Sequence, residues 1–109
     1  MTFEECVNRL PDELASIGYK STFNNTSINF FLDDSCNDCL VRIVNPQNKT
    51  DKCLCFAEHI HETDWNKYFY SEVNDEIYNK LMTAARNMVA QYKKYTVVLK
   101  INEISKDFE

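Results

Sequence analysis

The chain has 109 residues and a formal net charge of −5, with 44% hydrophobic and 27% charged residues. These proportions are typical of one globular domain, and no apolar run approaches the ~18 residues that a membrane span needs. The acidic balance argues against direct nucleic-acid binding, which needs a basic patch, and favours a partner with a basic surface. The single glycine excludes Rossmann fingerprints, P-loops and nucleophile elbows, since each needs two or more.

The N-terminus and the cysteine content indicate a cytoplasmic protein. Two carboxylates lie within the first ten residues (MTFEECVNRL), where a secretory signal has basic residues and an apolar region. Thiols stay reduced in the cytoplasm, and five cysteines, an odd number, do not form a disulfide framework. Free cysteines are therefore expected.

The first predicted element is an amphipathic helix. Thr2 and Glu5 have the spacing of a capping box, and Gly18 is a natural C-terminal stop. Pro11 lies inside the pattern and predicts a kink or a break into two short helices. The apolar residues recur at steps of four and three and share one face: Phe3, Val7, Leu10, Leu14 and Ile17.

Four strands are predicted next. The segments KSTFN and SINFFL flank an Asn-rich turn and form a first hairpin. The segments CLVRIV (39–44) and KCLCFAEH (52–59) flank the polar loop NPQNKTD and form a second.

The last third is predicted to be helical and then extended. Residues 63–70 (TDWNKYFY) predict a short aromatic helix, and a long amphipathic helix follows from a cap at Ser71 to Tyr92. Residues 96–104 (TVVLKINEI) alternate in polarity and predict a final strand, with residues 105–109 frayed. The order α-β-β-β-β-α-α-β predicts a single α+β domain, an antiparallel sheet of about five strands with helices packed on one face.

Cys53 and Cys55 are candidates for metal ligands or ordinary strand residues. On a regular strand their side chains point to one face about 6.6 Å apart, whereas two sulfurs on one tetrahedral zinc lie within ~3.8 Å. We therefore interpret the pair as small apolar core residues. A hairpin register in which paired residue numbers sum to about 96–98 sets them beside Val41 and Ile43.

The same register brings Cys36 and Cys39 toward His59 and His61 at the open end of the hairpin. C-x-x-C is a common zinc half-site, so a structural Cys2His2 zinc site is one hypothesis; no other cofactor is indicated. Against it, the turn CNDC lacks the usual glycine, and H-x-H is not the usual spacing. A small enzyme that uses His59 and His61 as acid or base is a further alternative, although no nucleophile is marked by its setting.

The sequence favours a non-enzymatic protein-binding module. Aromatic residues at 65–70 lie beside acids, and the start of the long helix carries more acids, so exposed rings with a carboxylate rim would anchor a basic partner. Small acidic domains of this kind include inhibitors, immunity-type proteins and phage-encoded antagonists that occupy a basic, sometimes nucleic-acid-binding, surface of a target. A homodimer through the last strand is also compatible with the pattern. The predicted partner-binding residues are Glu62, Asp64, Trp65, Tyr68, Tyr70, Glu72, Asp75 and Glu76.

Overall fold

The computed structural model describes residues 1–32, 39–47, 51–60 and 69–107, with side chains up to residue 97. The strands within these ranges form one antiparallel sheet in the order β1-β2-β3-β4-β5. The predicted α+β class, with a five-stranded antiparallel sheet and helices, is confirmed. The elements are α1 (Phe3–Ser16), β1 (Lys20–Phe23), β2 (Ser27–Phe31), β3 (Val41–Val44), β4 (Cys53–Phe56), β5 (Phe69–Tyr70) and α2 (Asp75–Asp107).

Helix α1 has the predicted cap and the predicted stop. The Oγ1 atom of Thr2 accepts a hydrogen bond from the backbone N–H of Glu5 at 3.1 Å, which satisfies one of the free donors of the first turn. The chain leaves the helix through Gly18, whose φ of 109° suits glycine. Pro11 lies inside one continuous helix of 14 residues, so the two-helix alternative is wrong. Leu10 and Leu14, both fully buried, hold the turns on either side of the proline.

The core lies between the sheet and the two helices. Alternate residues of β2, β3 and β4 point toward the helices and are buried there with the apolar faces of α1 and α2. The hydroxyl of Tyr19 donates to the carbonyl of Ala85 at 3.0 Å and fixes the start of β1 against α2. The central members of this core are Leu10, Leu14, Ile28, Phe30, Val41, Ile43, Leu54, Phe56, Leu81 and Met88.

Helix α2 begins and ends later than predicted. Its N-cap is Asn74, whose Oδ1 accepts a hydrogen bond from the N–H of Ile77 at 2.8 Å. The predicted cap, Ser71, lies three residues before it. The helix continues to Asp107, so the strand predicted at 96–104 is wrong. No Gly or Pro interrupts the sequence over this helix, and nothing local therefore stops it. No helix among the described residues combines the length and apolarity needed to cross a membrane.

The fifth strand is a different segment from the one predicted. Phe69 and Tyr70 form β5 and pair with Cys55 and Leu54 of β4. The short helix predicted at 63–70 is wrong for these two residues, and residues 63–68 lie outside the described part of the chain. Because residues 96–104 are helical, the homodimer through a last edge strand also loses its basis.

Candidate functional site

The starts of the two helices lie together at one end of the molecule. The amino group of Met1 lies 3.1 Å from Oδ1 of Asp75, which joins the two starts directly. The first turns of both helices are acidic, and carboxylates there also stabilise the helix dipoles. All the acids of this surface are exposed. We call it the acidic end; it consists of Glu4, Glu5, Glu72, Asp75 and Glu76.

A groove of about 960 Å³ borders the acidic end and shares Glu4 with it. The buried Phe3 and Ile28 contribute apolar surface, and Phe23, which is 68% exposed, adds an aromatic ring. Such a mixture of apolar surface with carboxamides suits a polypeptide segment, whose side chains need apolar contact and whose backbone needs hydrogen bonds. The carboxamide side chains that line the groove are Asn8, Asn24, Asn25, Asn45 and Gln47.

Only part of the predicted partner-binding set can be placed. Glu62, Asp64, Trp65 and Tyr68 lie outside the described residues. Glu72, Asp75 and Glu76 belong to the acidic end.

Tyr70 is half-buried and is fixed by its neighbours. Its ring stacks on that of Phe56 with centroids 5.9 Å apart, and its hydroxyl accepts a long hydrogen bond of 3.5 Å from Lys80. The exposed aromatic residue of β5 is instead Phe69, at 56%, which the sequence interpretation missed along with Phe23. Phe23 follows KST and precedes an Asn-rich turn, and that polar setting was the available signal of its exposure.

The second hairpin pairs within the predicted range of registers, but its cysteines lie on the opposite face from the one predicted. Paired residue numbers sum to 97, an odd number, so Val41 and Ile43 share the core face with Phe56 and Leu54 rather than with the cysteines. A shift of one residue in register exchanges the two faces of a strand, and this is the physical reason for the error. The pairs are Val41–Phe56, Arg42–Cys55, Ile43–Leu54 and Val44–Cys53.

Cys53 and Cys55 therefore lie on the face of the sheet that is turned away from the core, which we call the outer face. Both are buried, at 4% and 5% exposure, yet neither belongs to the core between sheet and helices. Their Sγ atoms are only 3.8 Å apart, because the side chains converge rather than run parallel. The predicted separation of about 6.6 Å between the two side chains is therefore wrong.

Asn29 organises the polar groups of the outer face. Its Oδ1 atom accepts from Nε of Arg42 at 2.8 Å, from Sγ of Cys39 at 3.6 Å and from Oγ of Ser27 at 3.5 Å. Burial raises the pKa of the Cys39 thiol, and the neighbouring Arg42 guanidinium partly opposes that shift. Burial, reinforced by Cys53, raises the pKa of Cys55 to about 12. Both thiols are therefore protonated at neutral pH unless a ligand displaces the proton.

The residues of the predicted Cys2His2 site are only partly placed. Cys36 and His61 lie outside the described residues. Cys39 is half-buried, and its Sγ donates to the carbonyl of Val41 at 3.0 Å. His59 is exposed, and its Nδ1 lies 3.1 Å from Nε2 of Gln91 on α2. Within the described ranges, no three Cys, His, Asp or Glu side chains converge in a geometry that would hold a metal ion.

A further polar cluster lies between the two helices. One carboxylate oxygen of Glu13 accepts from Nε of Arg9, and the other accepts from the hydroxyl of Tyr78. The guanidinium of Arg9 lies 5.1 Å from the centroid of the Tyr78 ring. The hydrogen bond from Tyr78 lowers the pKa of Glu13, and the bond and the charge of Arg9 lower it further.

We expect Glu13→Gln to lower the free energy of unfolding by about 1 kcal/mol at neutral pH, because solvent weakens this hydrogen-bonded charge relative to a buried one. A carboxylate whose pKa is lower in the folded state stabilises that state above its unfolded pKa of about 4.3. The difference from wild type should therefore shrink as the pH falls below about 4. Urea titrations of both proteins, repeated at several pH values between neutral and acid, measure this difference in the free energy of unfolding. The control is Asp12→Asn, at an exposed acid in the middle of α1. An equal, pH-independent difference for both variants would contradict the prediction.

Comparisons with known proteins leave the chain without a family. It matches no protein-family model, and no curated protein or solved structure is detectably similar to it.

Proposed function

We propose that the chain is a non-enzymatic protein-binding module whose acidic end, with the adjoining groove, occupies a basic surface of another protein. The observation that carries this proposal is the meeting of two acidic helix starts beside a groove lined with carboxamides and aromatic rings. Such a module belongs functionally with inhibitors, immunity-type proteins and phage-encoded antagonists.

The charge of the acidic end supports a basic partner. Its five carboxylates are exposed, and the net charge of the whole chain is −5. Complementary charge of this kind accelerates encounter and selects partners, while exposed ion pairs add little affinity individually. Affinity then requires a second element that excludes water.

The groove supplies that second element. Phe23 is an exposed aromatic ring, and such residues dominate the binding energy of protein interfaces when a partner buries them. Asn8, Asn25 and Gln47 present carboxamides that can donate to and accept from a polypeptide backbone. A partner that places basic side chains over the acidic end and an extended segment in the groove would use both.

The test is to titrate the ¹⁵N-labelled chain with a short lysine- and arginine-rich peptide and to map the amide shifts. We expect the largest shifts at residues 3–8, 23–25 and 72–77, and we expect affinity to fall as salt is raised. Glu76→Lys should weaken binding about fivefold, which corresponds to roughly 1 kcal/mol for an exposed ion pair. Phe23→Ala should weaken binding without loss of stability, because the ring is exposed.

The matched control is Asp12→Lys, an exposed acid on α1 outside the acidic end, which makes the same change in net charge. Melting curves followed by circular dichroism confirm that each variant is folded. Equal weakening by Asp12→Lys and Glu76→Lys, or shifts spread over the whole surface, would mean nonspecific attraction and would contradict the proposed site.

A small enzyme built on His59 and His61 is the weaker alternative. The imidazole of His59 is exposed and is positioned by the carboxamide of Gln91, a neighbour that neither supplies nor removes a proton. The cytoplasm remains the proposed compartment, and the four free cysteines in the described ranges suit its reducing conditions.

A further inference from the structure

Strand β1 forms one edge of the sheet, and its backbone is open on that side. Among the described strands it pairs with β2 alone. All four of its residues, from Lys20 to Phe23, are exposed to solvent. An uncovered edge of this kind presents unpaired N–H and C=O groups, and a strand from another chain can form hydrogen bonds with them.

The hydrogen bonds of the first hairpin identify the residues whose backbone groups point outward. Asn24 donates its N–H to the carbonyl of Ser27 at 3.0 Å, so these two residues are a hydrogen-bonded pair. Such pairs alternate along an antiparallel ladder, and the next residue of β1 that bonds to β2 is Thr22. Ser21 and Phe23 therefore direct their N–H and C=O groups to the open edge. Within the described ranges, neither residue has another backbone partner there.

The open edge leads directly to the groove and the acidic end. Phe23 is the last residue of β1, and it lines the groove together with Glu4 of α1. Glu4 is also a member of the acidic end. A strand that pairs with β1 and continues past Phe23 therefore enters the groove and meets the first carboxylate of that surface.

The charges along this path favour a particular occupant. Lys20 lies at the start of β1, and Glu4 lies near its other end. A segment that carries basic residues at the end beside Glu4, and none beside Lys20, matches this order of charges. A second copy of the chain is a poorer match, because each copy has a net charge of −5 and the copies repel each other.

We propose that the basic partner binds by β-strand addition, with an extended segment paired antiparallel to the open edge of β1 and its basic residues over the acidic end. This mode of binding rests on the proposed function and defines the ligand as an extended polypeptide. Antiparallel pairing continues the pattern of the sheet and is slightly more stable than parallel pairing. Because β1 runs toward the groove, the basic residues belong at the N-terminal end of the segment. Main-chain hydrogen bonds to Ser21 and Phe23 supply affinity.

The experiment titrates the full chain with the end-capped peptide Lys-Arg-Lys-Thr-Val-Thr-Val and measures the exchange of each amide hydrogen by NMR. In the free chain we expect the N–H of Thr22 to be protected and those of Ser21 and Phe23 to exchange rapidly. Saturating peptide should slow exchange at Ser21 and Phe23 at least tenfold. The peptide with its basic residues moved to the C-terminal end should bind more weakly.

Substitutions at Ser21 test the backbone bond separately from the charge. Ser21→Pro removes an outward N–H and no hydrogen bond of the sheet, and edge strands accept proline at such positions. It should weaken peptide binding about tenfold, whereas the matched control Ser21→Ala should leave binding unchanged. Melting curves followed by circular dichroism confirm that both variants fold. The exchange pattern of the wild-type chain decides the question even if Ser21→Pro does not fold.

The outcomes distinguish the mode of binding from the proposed function. Peptide binding that Glu76→Lys weakens, without slower exchange at Ser21 and Phe23, would overturn strand addition and leave the acidic end as the binding surface. Absence of peptide binding at low salt would contradict both. Protection of Ser21 and Phe23 without peptide, in a dimer that dissociates on dilution, would assign the edge to a second copy and also overturn the proposal.

Discussion

Replacement of Phe56 by alanine is expected to lower the free energy of unfolding by about 3–5 kcal/mol. Phe56 is 1% exposed, pairs with Val41 across the sheet and stacks on Tyr70 at 5.9 Å. Its neighbours belong to a sheet and two helices that are fixed by their own packing, so they cannot move far enough to fill the cavity. A loss of this size is a large part of the roughly 5–15 kcal/mol that stabilises a typical domain.

Urea unfolding followed by circular dichroism measures this loss. The matched control is Phe23→Ala, the same substitution at a ring that is 68% exposed, and its effect should stay within about 0.5 kcal/mol. A small effect at Phe56 would mean that this residue does not face the core. It would therefore point to a register between β3 and β4 shifted by one residue, which exchanges the faces of Phe56 and Cys55.

The sequence could not predict whether the paired residue numbers of β3 and β4 sum to an odd or an even number, which decides which residues face the core. Loop length and turn residues restrict the hairpin to a narrow range of pairings, and the observed pairing lies within it. Strand β4, however, is apolar on both faces, because all four of its residues are buried. When neither face is polar, hydrophobic alternation cannot show which residues face the core. The local sequence therefore does not determine on which face of the sheet Cys53 and Cys55 lie.

The end of helix α2 was ambiguous for a related reason. Residues 96–104 alternate in polarity as a strand does, yet Val97, Ile101 and Ile104 also recur at steps of four and three. Both periods fit so short an apolar segment. A helix that has already formed extends at low cost until a breaker stops it, and none is present before Asp107.

The candidate binding surface was predictable only in its local part. The acids of the first turn of α2 follow from the sequence, because acids are favoured at helix starts. The contact between the amino group of Met1 and Asp75 joins residues that are far apart in the sequence. The groove likewise combines residues of α1, of the turn between β1 and β2, and of the loop between β3 and β4. Such a surface depends on tertiary packing, for which a single sequence carries no local signal.

Replacement of Asn29 by alanine is the second expected large effect, a loss of about 2–3 kcal/mol in the free energy of unfolding. Asn29 and Arg42 are both half-buried, and the bond between them is 2.8 Å long. A hydrogen bond to a charged group contributes about 1.5–3 kcal/mol, and its removal leaves a partly desolvated guanidinium without this acceptor. Asn29→Asp should restore most of the loss, since a carboxylate accepts from Arg42 with added charge.

A double-mutant cycle with Arg42→Met separates the energy of this bond from the general cost of truncating the two side chains. If Asn29 acts chiefly by holding Arg42, the double variant should lose less stability than the sum of the single variants, with a coupling of about 1–2 kcal/mol. Additive losses would contradict that role. They would mean that Asn29 stabilises the outer face through Ser27 and Cys39, and that Arg42 reaches the thiols without its support.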